Sequence, residues 1–121
     1  MMKDVEDRLS MLYRSYEQHV KPEIEVLPID IKPYFEKIAE APFNDVLVQY
    51  NGYDKTIDIW TAYDESIQVF ISIDLEEMFD DVVFSIYHGK KLLVCDEIEL
   101  NELIDKLIDV SEERRKERDE E

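Results

Sequence analysis

The side chains most often used in catalysis are few in this sequence and widely separated. There are two histidines, His19 and His88, and one cysteine, Cys95. None of them has the His-x-x-x-His or Cys-x-x-Cys spacing on which a zinc site is built. We expect His19 to end a helix, His88 to lie in a hairpin turn and Cys95 to be a buried strand residue. With two glycines in all, the chain has no phosphate-binding loop. The sequence therefore predicts a protein that is not an enzyme.

The carboxylates of residues 74–81 are the best candidates for binding a cation. An EF-hand loop needs oxygen ligands at alternate positions, a central glycine and a final glutamate. Here Leu75, Met78 and Phe79 interrupt the pattern and glycine is absent. We therefore expect an acidic loop or short helix, with no bound metal or cofactor. A weak magnesium or calcium site is the alternative.

The net charge is the unusual property of this chain. Its 31 acidic and 14 basic residues give −17 in 121 residues, whereas solubility is served by a magnitude of about 2–8. Direct binding to nucleic acid or to an anionic membrane is disfavoured, because both need a basic surface. Three explanations remain: a generic or salt-adapted acidic surface, a docking face for a basic partner, or a cation site. Lysine is not depleted, which argues against extreme salt adaptation.

Hydrophobic periodicity predicts one α+β domain over residues 1–111, with a charged helical tail over 112–121. Short turns such as Asn51-Gly52 and His88-Gly89-Lys90 require antiparallel neighbours. We expect one antiparallel sheet of about five strands, with the helices on one face. The order is α-α-β-β-β-β-β-α. The predicted helices cover residues 4–19, the segment from the cap Asp30 to Pro42, and residues 97–110. The predicted strands cover residues 46–50, 56–62, 67–73, 82–87 and 92–95. Residues 23–27 are predicted to form a short extended piece.

The cellular location is expected to be the cytoplasm. Met1-Met2-Lys3-Asp4 leads directly into a helical pattern without the apolar region of a signal peptide. No apolar run approaches the length of about 20 residues that a membrane span needs. A single cysteine fits a reducing compartment.

Acidic residues concentrate in two stretches of the chain. Residues 54–81 hold nine acids and one base, and residues 96–109 hold six acids and one base. Acids two apart on a strand are about 6.6–6.8 Å apart and those four apart on a helix about 6 Å, comparable with successive phosphates of a nucleic acid. The alternative is that acids merely cover the solvated side of each element. The predicted partner-binding residues are Asp54, Asp58, Tyr63, Asp64, Glu65, Asp74, Glu76, Glu77, Asp80 and Asp81.

Aromatic residues ringed by charge are a second sign of an interface, because such residues form binding hot spots. For Trp60 and Tyr87 the alternative is packing in the core or on a sheet face. The candidates are Tyr50, Tyr53, Trp60, Tyr63 and Tyr87.

One segment resembles a known family. Thr61-Ala62-Tyr63-Asp64-Glu65-Ser66 is similar to the acidic strand-and-turn segment of the small phage inhibitors of uracil-DNA glycosylase, which mimic DNA. Upstream, Val26-Leu27-Pro28, a short helix and Asp45-Val46-Leu47-Val48 follow the order of that family. In this chain residues 49–60 separate two segments that are continuous in the family. The resemblance implies a small phage-encoded inhibitor of a host or defence protein, such as an anti-CRISPR protein, without naming the target.

The sequence thus predicts a non-enzymatic acidic inhibitor of a basic, nucleic-acid-binding protein or nuclease, acting by mimicry of the DNA or RNA backbone. An immunity protein against a nuclease toxin is one alternative. Another is an acidic interaction or subunit module that forms a homodimer through its C-terminal helix. Neither alternative involves mimicry.

Overall fold

A computed structural model of the chain describes residues 4–24, 26–27, 30–63, 67–76 and 81–119, with backbone only for residues 81 and 110–119. It confirms an α+β protein with three helices and one five-stranded antiparallel sheet. The elements are α1 (Val5–His19), α2 (Lys32–Ala39), β1 (Asp45–Asn51), β2 (Thr56–Ala62), β3 (Ile67–Asp74), β4 (Asp81–His88), β5 (Lys91–Glu99) and α3 (Leu100–Asp119).

The first helix is capped by a carboxylate. Asp4 Oδ1 accepts a hydrogen bond of 2.8 Å from the backbone N–H of Asp7, and capping of this kind stabilises a helix by about 1 kcal/mol. The second helix differs from the expectation, because its N-cap residue is Ile31 and has no side-chain cap. Asp30 lies one residue earlier, where its Oδ1 accepts a hydrogen bond of 3.1 Å from the backbone N–H of Lys32. Pro33 follows in the first turn, where its missing N–H is not needed.

The sheet is a meander in which each strand pairs with its neighbours in sequence, in the order β1-β2-β3-β4-β5. Strict alternation along β2 and β3 places one set of side chains in the core. Ile59 lies opposite Val48 on one side and Ile71 on the other, and all three are fully buried. Phe84 of β4 continues this row opposite Ile71.

The helices cover that face and form the rest of the core. Phe35 of α2 is fully buried and makes edge-to-face contacts with Tyr13 and Tyr16 of α1, at centroid distances of 5.0 and 6.0 Å. Arg8 of α1 is buried and donates from Nε to the carbonyl of Ala39 at 2.6 Å. Leu103 and Leu107 of α3 are also fully buried.

Three further details of the chain differ from the sequence expectations. Of the segment 23–27, the described residues form no strand, and the backbone N–H groups of Glu23 and Ile24 both donate to the carbonyl of Val20 in a tight turn. The strand β5 extends to Glu99, and the last helix begins at Leu100 and not at residue 97. Residues 97–99 continue the pairing of β5 with β4, and Ile98 is the one of them whose side chain is buried.

The third difference concerns Cys95, which is exposed and not buried. It lies on the outermost strand, opposite Ser85, whose hydroxyl is 3.3 Å from Cys95 Sγ. An edge strand has a neighbour on one side only, so an apolar run there does not imply burial.

The described helices include none with the length and apolar character to cross a membrane.

Candidate protein-binding surface

The face of the sheet opposite the helices, here called the open face, carries the side chains that alternate with the core residues. In the described part of the chain no helix packs on it. Its rows follow from the strand register. One row runs Leu47, Trp60, Phe70, Ser85, Cys95, and a parallel row runs Gln49, Asp58, Ser72, Val83, Glu97.

An aromatic cluster, Trp60, Phe70 and Tyr87, occupies the middle of the open face. The ring centroids of Trp60 and Phe70 are 4.6 Å apart, and those of Trp60 and Tyr87 are 5.3 Å apart. All three rings remain partly exposed. Packing on each other therefore leaves ring surface for a partner, which is the geometry of an interface anchor.

A shallow groove lies beside the aromatic cluster at the β1 side of the sheet. Its volume is about 370 Å³, and Leu47 and Trp60 form its apolar wall. Asp45 adds a carboxylate, with Oδ1 held at 2.9 Å by the backbone N–H of Val46. An apolar wall next to a carboxylate suits the stem and charged head of a long basic side chain.

Carboxylates collect at one end of the sheet, where β1, β3 and β5 end and β2 and β4 begin. Asp58 and Asp74 are diagonal neighbours on β2 and β3, since Asp58 lies opposite Ser72. Such neighbours are roughly 7–8 Å apart. The described members of this acidic end are Asp54, Asp58, Asp74, Glu76, Glu97 and Glu99.

Several of these carboxylates are held in place by hydrogen bonds. Asp58 Oδ1 accepts from the hydroxyls of Thr56 and Ser72 at 2.7 and 3.0 Å. Asp54 Oδ2 accepts from the Asn51 side-chain amide at 3.1 Å. Their positions are therefore set before a partner arrives, which lowers the entropy lost on binding.

Glu76 has a basic side chain as its partner. Lys55 Nζ lies 2.9 Å from Glu76 Oε1, and both side chains are exposed. The hydrogen bond to Glu76 raises the pKa of Lys55 above its ordinary value. Lys55 is the only basic residue between positions 54 and 81, and its pairing makes Glu76 a weaker candidate than Asp58 for contact with a basic partner.

Tyr63 belongs to the core and not to the surface. Its side chain is only 8 % exposed, and its hydroxyl has no hydrogen-bond partner of good geometry within the described residues. Burial raises the pKa of Tyr63 far above its ordinary value, while the nearby Thr61 hydroxyl and Arg8 act in the opposite direction. A direct contact between this ring and a partner is not available in this structure.

Replacing Tyr63 with phenylalanine is expected to leave the protein as stable as before or to stabilise it by up to about 1 kcal/mol. A buried hydroxyl without a good partner costs free energy that the substitution removes, while the ring stays in place. Chemical denaturation of both proteins measures the difference. A loss above about 1 kcal/mol would show that the hydroxyl makes a favourable bond, for example to Thr61.

The other predicted partner-binding residues are distributed as follows. Asp54, Asp58, Asp74 and Glu76 lie together at the acidic end. Asp81 begins β4, opposite Glu99 in the register, and its side chain is outside the described part. Asp64, Glu65, Glu77 and Asp80 lie outside the described residues altogether.

The sequence does not identify Phe70 or Leu47 as binding residues, and it identifies Glu97 and Glu99 only as members of the acidic stretch 96–109. The available signal was alternation: Phe70 stands between the core residues Val69 and Ile71, and therefore faces the same way as Trp60 one strand away. The sequence predicts a helix from residue 97, whereas Glu97 and Glu99 lie in β5. Among the described residues, no group of three or more histidine, cysteine, aspartate or glutamate side chains is placed to hold a metal ion.

Comparisons of the chain with family models, with curated proteins and with solved structures find no match.

Proposed function

We propose that this chain is a non-enzymatic inhibitor that acts in the cytoplasm by binding a basic, nucleic-acid-binding protein. In the complex, the open face covers the surface of the partner protein that otherwise binds DNA or RNA. The observation that carries the proposal is the juxtaposition on one rigid sheet of a partly exposed aromatic cluster and an end rich in carboxylates.

Each half of the open face has a separate role in such a complex. The carboxylates replace phosphates in contacts with lysine and arginine, and the net charge of −17 speeds association with a basic surface. The aromatic cluster supplies contact area that is independent of charge. Proteins that bind single-stranded nucleic acid combine a basic groove for the phosphates with aromatic side chains on which the bases stack. The carboxylates of the open face therefore imitate the phosphates, and its aromatic rings imitate the bases.

Preorganisation supports this reading over a merely solvated surface. A carboxylate that only keeps a protein soluble needs no fixed position. Asp58 accepts two hydroxyl hydrogen bonds on one oxygen, and these fix the position of its carboxylate on the open face. Its second oxygen remains available for a charged donor.

The test combines capture with competition. The immobilised chain is exposed to a nucleic-acid-depleted bacterial lysate at low salt, and the bound protein is challenged with duplex DNA, with RNA and with rising salt. We expect a nucleic-acid-binding protein that is displaced by one of the two nucleic acids. Its affinity should fall by at least tenfold between about 50 and 200 mM salt, as several charge contacts require.

Two pairs of substitutions distinguish the contribution of the acidic end to binding from the contribution of the overall negative charge. Asp58→Asn together with Asp74→Asn removes two charges from the open face while keeping oxygens that accept the same hydrogen bonds. Glu17→Gln together with Asp105→Asn removes two exposed charges from α1 and α3. The first pair should weaken binding about tenfold and flatten the salt dependence, and the second should change it little. Equal losses, or a captured protein indifferent to DNA and RNA, would contradict the proposal.

A further inference from the structure

The groove beside the aromatic cluster exists because one residue of the open face is small. The strand register places Asp45, Ala62 and Gln68 in one row across β1, β2 and β3, next to the row that holds Leu47 and Trp60. The methyl group of Ala62 keeps the middle of its row low, with a carboxylate on one side and an amide on the other. All five residues line the groove, and their side chains share the open face.

The size of the groove suits a single side chain. Its volume of about 370 Å³ is near the lower limit for ligand sites in proteins. The row from Asp45 to Gln68 crosses two strand spacings, about 10 Å in all. Phe70 and Tyr87 contact Trp60 but do not line the groove. The side of the Trp60 ring that faces β1 is therefore available to a ligand.

The polar groups of the groove favour a cation. Asp45 Oδ1 is held at 2.9 Å by the backbone N–H of Val46, and the side chain is exposed, so its second oxygen can accept from a donor outside the chain. Among the described residues that line the groove, none is lysine, arginine or histidine. A cationic side chain whose stem lies against Leu47 and Trp60 fits this combination.

Arginine fits the groove better than lysine does. The guanidinium group is planar and stacks on aromatic faces, and tryptophan is the strongest partner for such contacts. Its five N–H donors can serve the Asp45 carboxylate and the Gln68 side-chain oxygen together, whereas the lysine ammonium is a strongly hydrated point charge. Stacking and forked hydrogen bonding in one site are therefore open to arginine alone of the two.

We propose that the groove is a binding site for one arginine side chain of the basic partner, stacked on Trp60 and hydrogen-bonded to Asp45, and this rests on the function proposed above. The net charge of −17 attracts lysine and arginine alike. A preference for arginine therefore distinguishes the groove from the acidic surface in general.

Titration with short peptides tests the site without the partner protein. The probes are acetyl-Gly-Arg-Gly-amide, the same peptide with lysine, and the same peptide with citrulline, which keeps the shape of arginine without its charge. Binding is followed by NMR at the indole N–H of Trp60, the only tryptophan. We expect the arginine peptide to bind about threefold to tenfold more tightly than either of the others. Equal affinity for the arginine and lysine peptides would overturn the proposal.

Substitutions in the groove locate the bound arginine. Asp45→Asn removes the charge and keeps an oxygen for the Val46 N–H, and Ala62→Leu fills the middle of the groove from the open face. Each should weaken binding of the arginine peptide about tenfold. Asp105→Asn is the matched control, because it removes one exposed carboxylate from α3, and it should change the affinity by less than about twofold. Equal effects of Asp45→Asn and Asp105→Asn would indicate attraction to the overall charge and overturn the proposal.

Capture experiments with the same variants separate the arginine site from the proposed function. A captured nucleic-acid-binding protein whose affinity is unchanged by Asp45→Asn and by Ala62→Leu would leave the proposed function standing and overturn the arginine site. Binding that prefers the arginine peptide, in a chain that captures no nucleic-acid-binding protein, would support the arginine site and overturn the proposed function.

Discussion

Replacing Phe35 with alanine is expected to lower the free energy of unfolding by about 3–5 kcal/mol, as for other fully buried phenylalanines. The side chain has no exposed surface and contacts two tyrosine rings of α1. Its loss leaves a cavity between α1 and α2. Domains of this size are stable by about 5–15 kcal/mol in total, so urea denaturation should show a large fall in midpoint, or a chain that does not fold.

Phe70 provides the matched control, because the same substitution there removes a ring from the open face. Phe70→Ala should cost only about 1–2 kcal/mol, mainly the contact with Trp60. A cost at Phe70 as large as that at Phe35 would mean that the open face is covered in solution and is not a binding surface.

Replacing Trp60 with alanine is expected to weaken binding to the captured basic partner by about 30-fold to 1,000-fold. Central aromatic anchors contribute about 2–4 kcal/mol when truncated, and Trp60 contacts both other rings of the aromatic cluster. Titration calorimetry measures the loss. Trp60 is the only tryptophan in the chain, so a change in its fluorescence on binding to a tryptophan-free partner reports directly on the open face.

Tyr53→Ala is the control for that measurement. Tyr53 is 96 % exposed but lies in the β1–β2 turn, away from the aromatic cluster. Its removal should change affinity by less than about threefold, as for most residues outside a hot spot. If Tyr53 mattered as much as Trp60, the interface would include the turn, and the open face would not be its centre.

The fold was largely predictable because its periodicities are clean. Alternation over residues 67–73 and the spacing of Leu100, Leu103 and Leu107 identify a strand and a helix without reference to the rest of the chain. The error at residues 97–99 has a physical cause. Residues 97–99 pair with β4 alone, and only Ile98 among them is buried. One buried apolar residue is too short a pattern to distinguish the end of a strand from the first turn of a helix.

The binding surface was less predictable than the fold, because it depends on register. The acidic residues were visible in the sequence, but which of them share a face depends on the pairing of Asp58 with Ser72. Tyr63 stands directly before the acidic residues Asp64 and Glu65 in the sequence, and yet its ring is buried. Lys55 and Glu76 are 21 residues apart, and their ion pair follows only from the fold.

The meander order has a consequence for how the chain reaches this structure. Each strand pairs with the strand that precedes it across a connection of two to six residues, so the sheet can assemble hairpin by hairpin at small cost in loop closure. The bonds from α1 are different: those of Ser15 and Arg8 span 33 and 31 residues. The contacts between α2 and α3 are more distant still, since the whole sheet separates these two helices in sequence. Folding is slowed by such distant contacts, so we expect the docking of α3 against α2 to be the slow step.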